Sequence, residues 1–289
     1  MITRVFEPLL QLGSIVAVMA TTAPAFAQDK TDGIVSLGGS VTEIIYALGA
    51  GDRLIARDTT SSYPPEVNAL PDVGYVRALS PEGVLATDPA LIIAESGAGP
   101  FETINVLEGA QIPFVKVPEE FSATGVSDKI IVVGKAIDEE AQAQKLAADL
   151  RAKLEAVTRV SDARPDAEKK RVLFVLSTQG GRIMASGTNT AAQAMIEMAG
   201  AVNAVSAFEG YKPMTDEAVI AAAPDAILMM ERGGDHNTAI EDLLVMPSIA
   251  STPAAQNRAV IRMDGLYLLG FGPRTADAVS DLNRAIYGS

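Results

Sequence analysis

The sequence contains no cysteine, no tryptophan and a single histidine. Without cysteine there is no disulfide, no thiolate metal site, no cysteine nucleophile and no cysteine-linked lipid anchor. One histidine, His236, excludes a His-rich zinc or manganese centre. A Ser-His-Asp triad would have to use that residue, yet it lies in the polar run RGGDHNTA, where a histidine is ordinarily solvated. The chain also lacks a Gly-x-Ser-x-Gly nucleophile elbow, so an exported hydrolase is not expected. Basic charge is short: 23 Lys and Arg against 36 Asp and Glu leave a net charge of -13. That balance argues against nucleic acid and anionic membranes as partners and leaves a basic protein surface open.

Long apolar runs are confined to the N-terminus. Arg4 precedes the run Leu9 to Ala20, and small residues lead to Ala25-Phe26-Ala27. This is the layout of a signal peptide over residues 1–27, with the mature protein expected to be soluble and exported. The run is too short for a comfortable membrane span. About 260 residues would remain after cleavage, enough for two domains.

What is present is an alternation of strands and helices. GIVSLGGSVTEIIYALGAGDRLIARD reads as strand, Gly-rich turn, helix and strand. Ser40 is placed as the helix N-cap, with Glu43 as its capping-box partner and Gly49 as the stop. Such units imply α/β architecture, with parallel sheets covered on both faces. Over residues 122–160 the pattern changes. Val126, Ile130, Val133, Ile137, Leu146, Leu150, Leu154 and Val157 recur at helical spacing between charged residues. This predicts one long linking helix, with a bend expected near Asp138. It separates an N-terminal lobe (28–121) from a C-terminal lobe (161–289).

The two lobes resemble each other. GYVRALSPEGVLATDPALII (74–93) aligns with GYKPMTDEAVIAAAPDAIL (210–228) with one gap, and from Glu82 onward the offset is constant, 217 − 82 = 135. Two similar α/β lobes joined by a spacer helix leave a cleft between them. Ligands of open parallel sheets sit beyond the carboxyl ends of the strands. The segments there are GGSVTE, DTTSSYPPEV, ESGAGP, STQGGR and ERGGDHN. In the second of these, Tyr63 precedes two prolines, which keep it out of a helix on a stiff loop. Its ring could simply pack there, or its oxygen could serve the cleft.

Five segments, SLGGSVTEIIYALGAGDRLIARDTTSSYPPE, LPDVGYVRALSPEGVLATDP, ASGTNTAAQAMIEMAGAVNAV, YKPMTDEAVIAAAPDAI and LLGFGPRTADAV, occur in this order. Together they resemble the periplasmic haem-binding proteins of bacterial haem ABC importers, within the helical-hinge class of substrate-binding proteins. The resemblance covers nearly all of the chain after residue 27 and is most specific at TSSYPPE and VGYVRALSPEGVL. It implies a binding protein, not an enzyme, acting as a monomer. One ferric haem would be carried between the lobes as transported ligand and handed to an inner-membrane ABC permease.

The resemblance gives Tyr63 the role of axial ligand to haem iron, a role for which phenolate is suited. Arg77, Arg232 and Arg274 become partners of the tyrosinate or of the haem propionates, with Arg57 a weaker candidate. Glu82 and Glu217 occupy matching repeat positions. They could serve the helix dipole alone, and the resemblance implies docking to arginines of the permease, one carboxylate per lobe. Some relatives carry a histidine ligand for a second haem in the loop written here LSTQGGR; Gln179 stands there, so one haem is expected. Tyr75 and Tyr211 share a repeat position and imply a structural role, with Tyr211 a second cleft candidate. His236 lies in the wrong motif for a sixth iron ligand. The same scaffold carrying cobalamin or a ferric siderophore is the alternative. A rigid spacer implies modest rocking of the lobes.

Overall fold

The computed structural model describes Met1, residues 33–231 and residues 238–288. The signal peptide expected over residues 1–27 lies, Met1 apart, outside the described residues. Among the described residues no helix is long and apolar enough to cross a membrane.

The first lobe contains β1 (Ile34–Leu37), α1 (Gly39–Ala47), β2 (Leu54–Arg57), α2 (Pro81–Leu85), β3 (Leu91–Glu95), α3 (Phe101–Glu108) and β4 (Phe114–Val117). Its sheet has the order β2-β1-β3-β4 and is wholly parallel. β1 is buried along its whole length, which explains its unbroken apolar reading.

Two helices follow, α4 (Ala123–Ala136) and α5 (Glu140–Asp162). The single linking helix read over residues 122–160 is therefore corrected to a pair. Asp138 adopts a left-handed conformation with φ 61°, and the Glu139 N–H reaches the Gly134 carbonyl at 2.7 Å. That bond pattern is a Schellman stop, with Asp138 in the position usually taken by glycine. The apolar stripe continues past the break because both helices bury a face: Val126, Ile130 and Val133 on α4, and Ala143, Ala147, Leu150 and Leu154 on α5.

The second lobe contains β5 (Arg171–Ser177), β6 (Met184–Ser186), α6 (Ala191–Met198), β7 (Val202–Asn203), β8 (Tyr211–Pro213), α7 (Asp216–Ala222) and β9 (Ala226–Glu231). It continues through α8 (Ile240–Leu244), α9 (Pro247–Ala250), α10 (Pro253–Gln256), β10 (Val260–Asp264), α11 (Gly265–Leu269) and α12 (Thr275–Tyr287). Its sheet runs β10-β9-β5-β6-β8, with β7 also paired to β5. β10, β9, β5 and β7 are parallel, but β6 and β8 are antiparallel additions, so this sheet is mixed where a parallel one was expected.

The internal repeat is visible in the backbone. Ser80 caps α2 by accepting the Gly83 N–H, and Thr215 caps α7 by accepting the Ala218 N–H. Asp88 and Ala223 then both turn to positive φ, at 54° and 42°. Each matched pair differs by the same offset as Glu82 and Glu217.

One apolar core runs through both lobes. It joins Ile34, Ile44 and Ile93 of the first to Phe174, Leu228 and Leu282 of the second by way of Ile130, Leu150 and Leu154 on the paired helices. Smaller clusters cover the outer faces of each sheet.

The α4–α5 pairing depends on a close backbone approach: a Cβ on Gly134 would lie 2.2 Å from the Ala143 Cβ. Neither atom can rotate away. Gly134→Ala should therefore lower unfolding stability by about 1–3 kcal/mol, despite a helix-propensity gain of about 1 kcal/mol. Urea unfolding of the two proteins measures this; equal or greater stability in the variant would refute it.

Candidate functional site

Tyr63 is carried by the segment that leaves β2, and a single carboxylate organises that segment. Asp58 is fully buried, and Oδ1 accepts hydrogen bonds from the Gly38 N–H at 2.8 Å and the Ser61 hydroxyl at 2.6 Å. Its Oδ2 accepts from the Thr60 N–H at 2.7 Å and the Thr60 hydroxyl at 2.5 Å. Ser61 and Thr42 share a hydroxyl contact at 2.7 Å, which ties the segment to α1. Tyr63 follows with 39% of its surface exposed, and the chain then enters a short 3-10 turn over Pro65–Ala69.

Arg274 comes from the second lobe, just before α12. Its guanidinium carbon lies 3.6 Å from the Tyr63 ring centroid and 5.0 Å from that of Tyr267. Its Nε and Nη2 donate to the two carboxylate oxygens of Glu43 on α1, each at 2.9 Å, and its backbone N–H reaches Glu43 Oε1 at 3.3 Å. Glu43 is buried. A close approach beside this pair also brings the lobes together: a Cβ on Gly39 would fall 2.5 Å from Leu266 Cδ1 and 2.7 Å from the Thr60 carbonyl oxygen. Only glycine fits there.

The structure thus corrects the reading of α1. Its N-cap is Gly38, which makes no side-chain cap, and Ser40 lies inside the helix. Glu43 faces Arg274 across the lobe boundary. The capping-box spacing is present in the sequence, but a cross-lobe guanidinium and a buried lysine take up the two side chains.

That lysine is Lys129. It is fully buried on α4 and donates to Ser40 Oγ at 3.1 Å and to the Gly270 carbonyl of the second lobe at 3.3 Å. Burial depresses its pKa, opposed by the charges of Glu119 and Glu95. Glu95, at the end of β3, is pushed up to about 7, first by burial and then by Glu119, against the pull of Lys129. These three groups were not anticipated. Lys129 was legible, since it shares a face with Val126 and Val133 at spacings of three and four.

Arg77 donates to the Tyr75 hydroxyl at 3.3 Å and adds its positive charge at Tyr211 of the other lobe. Tyr75 and Tyr211 therefore meet one cation from opposite sides of the lobe boundary, although one lies in a loop and the other in β8. Burial raises the Tyr211 phenol, opposed by hydrogen bonds with Ala192 and Thr190. Burial and the hydrogen bond to Asp281 likewise hold the Tyr267 phenol far above its ordinary value. Both are thereby poor carriers of a phenolate.

The remaining candidates separate. Arg57 is committed to the fold, with an ion pair to Asp72 at 2.7 Å and a bond to the Asp58 carbonyl at 3.2 Å. Glu82 and Glu217 are both exposed in the first turns of α2 and α7. Gln179 is exposed at the turn after β5. Arg232 and His236 lie outside the described residues. A hollow of about 230 Å³ between α5 and α12, lined by Ala156, Val157, Val160, Ser280 and Asn283, shares no residue with this cluster. Among the described residues no group of His, Cys, Asp and Glu could hold a bare metal ion.

Two α/β lobes bridged by helices, with cations and phenols collected where the carboxyl ends of their strands meet, define a substrate-binding protein. The chain belongs to the periplasmic binding protein family, whose pattern it matches over residues 34–266. It is a substrate-binding protein of the ABC transporter type and not an enzyme, and that family works outside the cytoplasm. It is similar to the periplasmic heme-binding protein BhuT, solved with two hemes, with 38% identity, a TM-score of 0.83 and 88% of this chain aligned to 97% of that one. The heme-binding protein RhuT from Roseiflexus sp. RS-1 is 37% identical, with a TM-score of 0.84 and coverage of 89% and 98%. A vitamin B12-binding protein of Vibrio parahaemolyticus is 25% identical, over 89% of this chain and 90% of its own length.

The raised Glu95 makes stability depend on pH. A carboxyl whose pKa is about 7 when folded and 4.5 when unfolded binds its proton more tightly in the native state. That contribution is complete below the unfolded value and is lost as pH rises through the folded one. Between about pH 5 and about pH 7.5, the melting temperature of the native protein should fall more steeply than that of Glu95→Gln. Parallel slopes would show that Glu95 does not titrate in this window.

Proposed function

We propose that this protein binds one ferric haem between its lobes, with Tyr63 as the axial iron ligand, and delivers it to an ABC-type import permease. The observation that carries this reading is the Arg274 guanidinium 3.6 Å over the ring of the half-exposed Tyr63. A phenolate is a hard anionic donor suited to ferric iron, and the guanidinium places a cation beside it. Tyr211 and Tyr267 are held toward the neutral form, which leaves Tyr63 as the better donor. Arg77 is assigned to the haem propionates; Arg232 is a further candidate for them on sequence grounds. The similarity to BhuT and RhuT supports haem over corrin as ligand, at higher identity than the vitamin B12-binding relative. Gln179 in place of a histidine supports a single haem.

Titration of the purified protein with ferric haem should give a Soret band with high-spin tyrosinate character, saturating at one equivalent. Tyr63→Phe should lose that signature and weaken binding about 10–100-fold. A native protein that takes up cobalamin but no haem would overturn the reading in favour of the alternative cargo, and an unchanged Tyr63→Phe spectrum would remove Tyr63 from the iron.

Delivery is assigned to Glu82 and Glu217, exposed at equivalent places on the two lobes. Paired acidic groups of this kind suit docking to basic residues of a permease. Glu82→Lys combined with Glu217→Lys should leave haem affinity unchanged while abolishing haem uptake by cells that depend on this protein. Unchanged uptake would point to a scavenger that never docks.

A further inference from the structure

Three side chains from separate parts of the chain converge at the lobe boundary: Glu43 from α1, Tyr63 from the segment after β2, and Arg274 from the start of α12. Arginine is long and rotamer-rich, and its guanidinium could pair with any nearby anion. Here the edge defined by Nε and Nη2 is taken by one buried carboxylate. A bidentate fork fixes the plane of the guanidinium as well as its position. That plane is what places the cation against the Tyr63 ring. The Glu43 contact to the Arg274 backbone N–H fixes the main chain from which the side chain starts. Among the described residues, no hydrogen bond runs from Arg274 Nη1.

We propose that Glu43 is a positioning residue that reserves Arg274 for Tyr63 and withholds it from the carboxylates of the ligand. The inference rests on the haem reading above. Its chemical content is a division of labour among the arginines. Arg274 has a bidentate carboxylate partner, so a propionate could reach only its unbonded Nη1 and would have to share a charge that Glu43 neutralises. Among the described residues Arg77 hydrogen-bonds the Tyr75 phenol and forms no ion pair, and it is exposed, so it can take a propionate without breaking one.

Glu43→Gln keeps the shape of the side chain and removes the charge. It should weaken ferric haem binding about 10–100-fold, the usual effect of removing a group that orients a metal ligand. It should also shift the tyrosinate-to-iron charge-transfer band. In an Arg274→Gln background the same substitution should change neither quantity, because a positioning residue acts only through the group it positions. Circular dichroism establishes that each variant is folded. If Glu43→Gln does not fold, Glu43→Asp, which keeps the charge but withdraws it by one methylene, should give a smaller loss in the same direction. The inference is overturned if the folded variant has unchanged affinity and spectrum, or if the loss is equal with and without Arg274. A native protein that shows no Soret band would sink the haem reading itself, and this inference with it, which separates the two failures.

Discussion

A guanidinium lodged between two lobes must be neutralised where it lies, because removing a charge from water without a partner is strongly unfavourable. Glu43 meets that requirement for Arg274, and the consequence reaches beyond the pair. The carboxylate belongs to the first lobe and the guanidinium to the second, so two hydrogen bonds of 2.9 Å set the spacing of the lobes at this edge. Lys129 repeats the arrangement nearby with Ser40 on one side and Gly270 on the other. Gly39 lets the backbones close against Leu266 between them. Any wide separation of the lobes would expose a buried lysine and break a buried ion pair at once. The apolar core that continues through α4 and α5 adds to the same restraint. Small rocking movements are the motions such a junction permits.

The duplicated unit separates features that the lobes share from features found on one lobe alone. N-caps at Ser80 and Thr215, the left-handed turns at Asp88 and Ala223, and the acidic first turns of α2 and α7 are all retained. These features build and terminate helices, or lie exposed at matching places. The region around Tyr63 has no counterpart in this repeat. The cluster is asymmetric: Tyr63 comes from one lobe and Arg274 from the other. The extra antiparallel strands of the second sheet contribute to this asymmetry, since β8 carries Tyr211 toward the charge of Arg77.

Much of this was legible in the sequence. The strand and helix alternation, the two-lobe plan, the repeat and Tyr63 on a Pro-stiffened segment all follow from local spacing and turn chemistry. The interruption at Asp138 was legible as a bend but not as a full stop, because hydrophobic periodicity continues through it and only a left-handed residue ends the helix. Glu43 was misread for a different reason. Local spacing offered Ser40 and Glu43 to each other, whereas their true partners are 231 and 89 residues away in the chain. Long-range charge pairing leaves no periodic trace. Lys129 is the instructive exception: a charged residue in the middle of an apolar stripe signals a buried partner before that partner can be named.

The arrangement at Tyr63 is held by contacts within the protein. The phenol stands at the surface with the guanidinium against its face, and the guanidinium has its own carboxylate partner. Groups held in this way need little reorganisation when a ligand arrives, so less of the interaction is lost to ordering side chains. Glu95 and Glu119 extend the same logic. Their charges act on both Lys129 and Arg77, so the acidic chain does not present an unbalanced positive patch at the lobe junction. A site with balanced charge attracts anions in general only weakly. Selectivity at such a junction must then come from the placement of individual groups rather than from net charge.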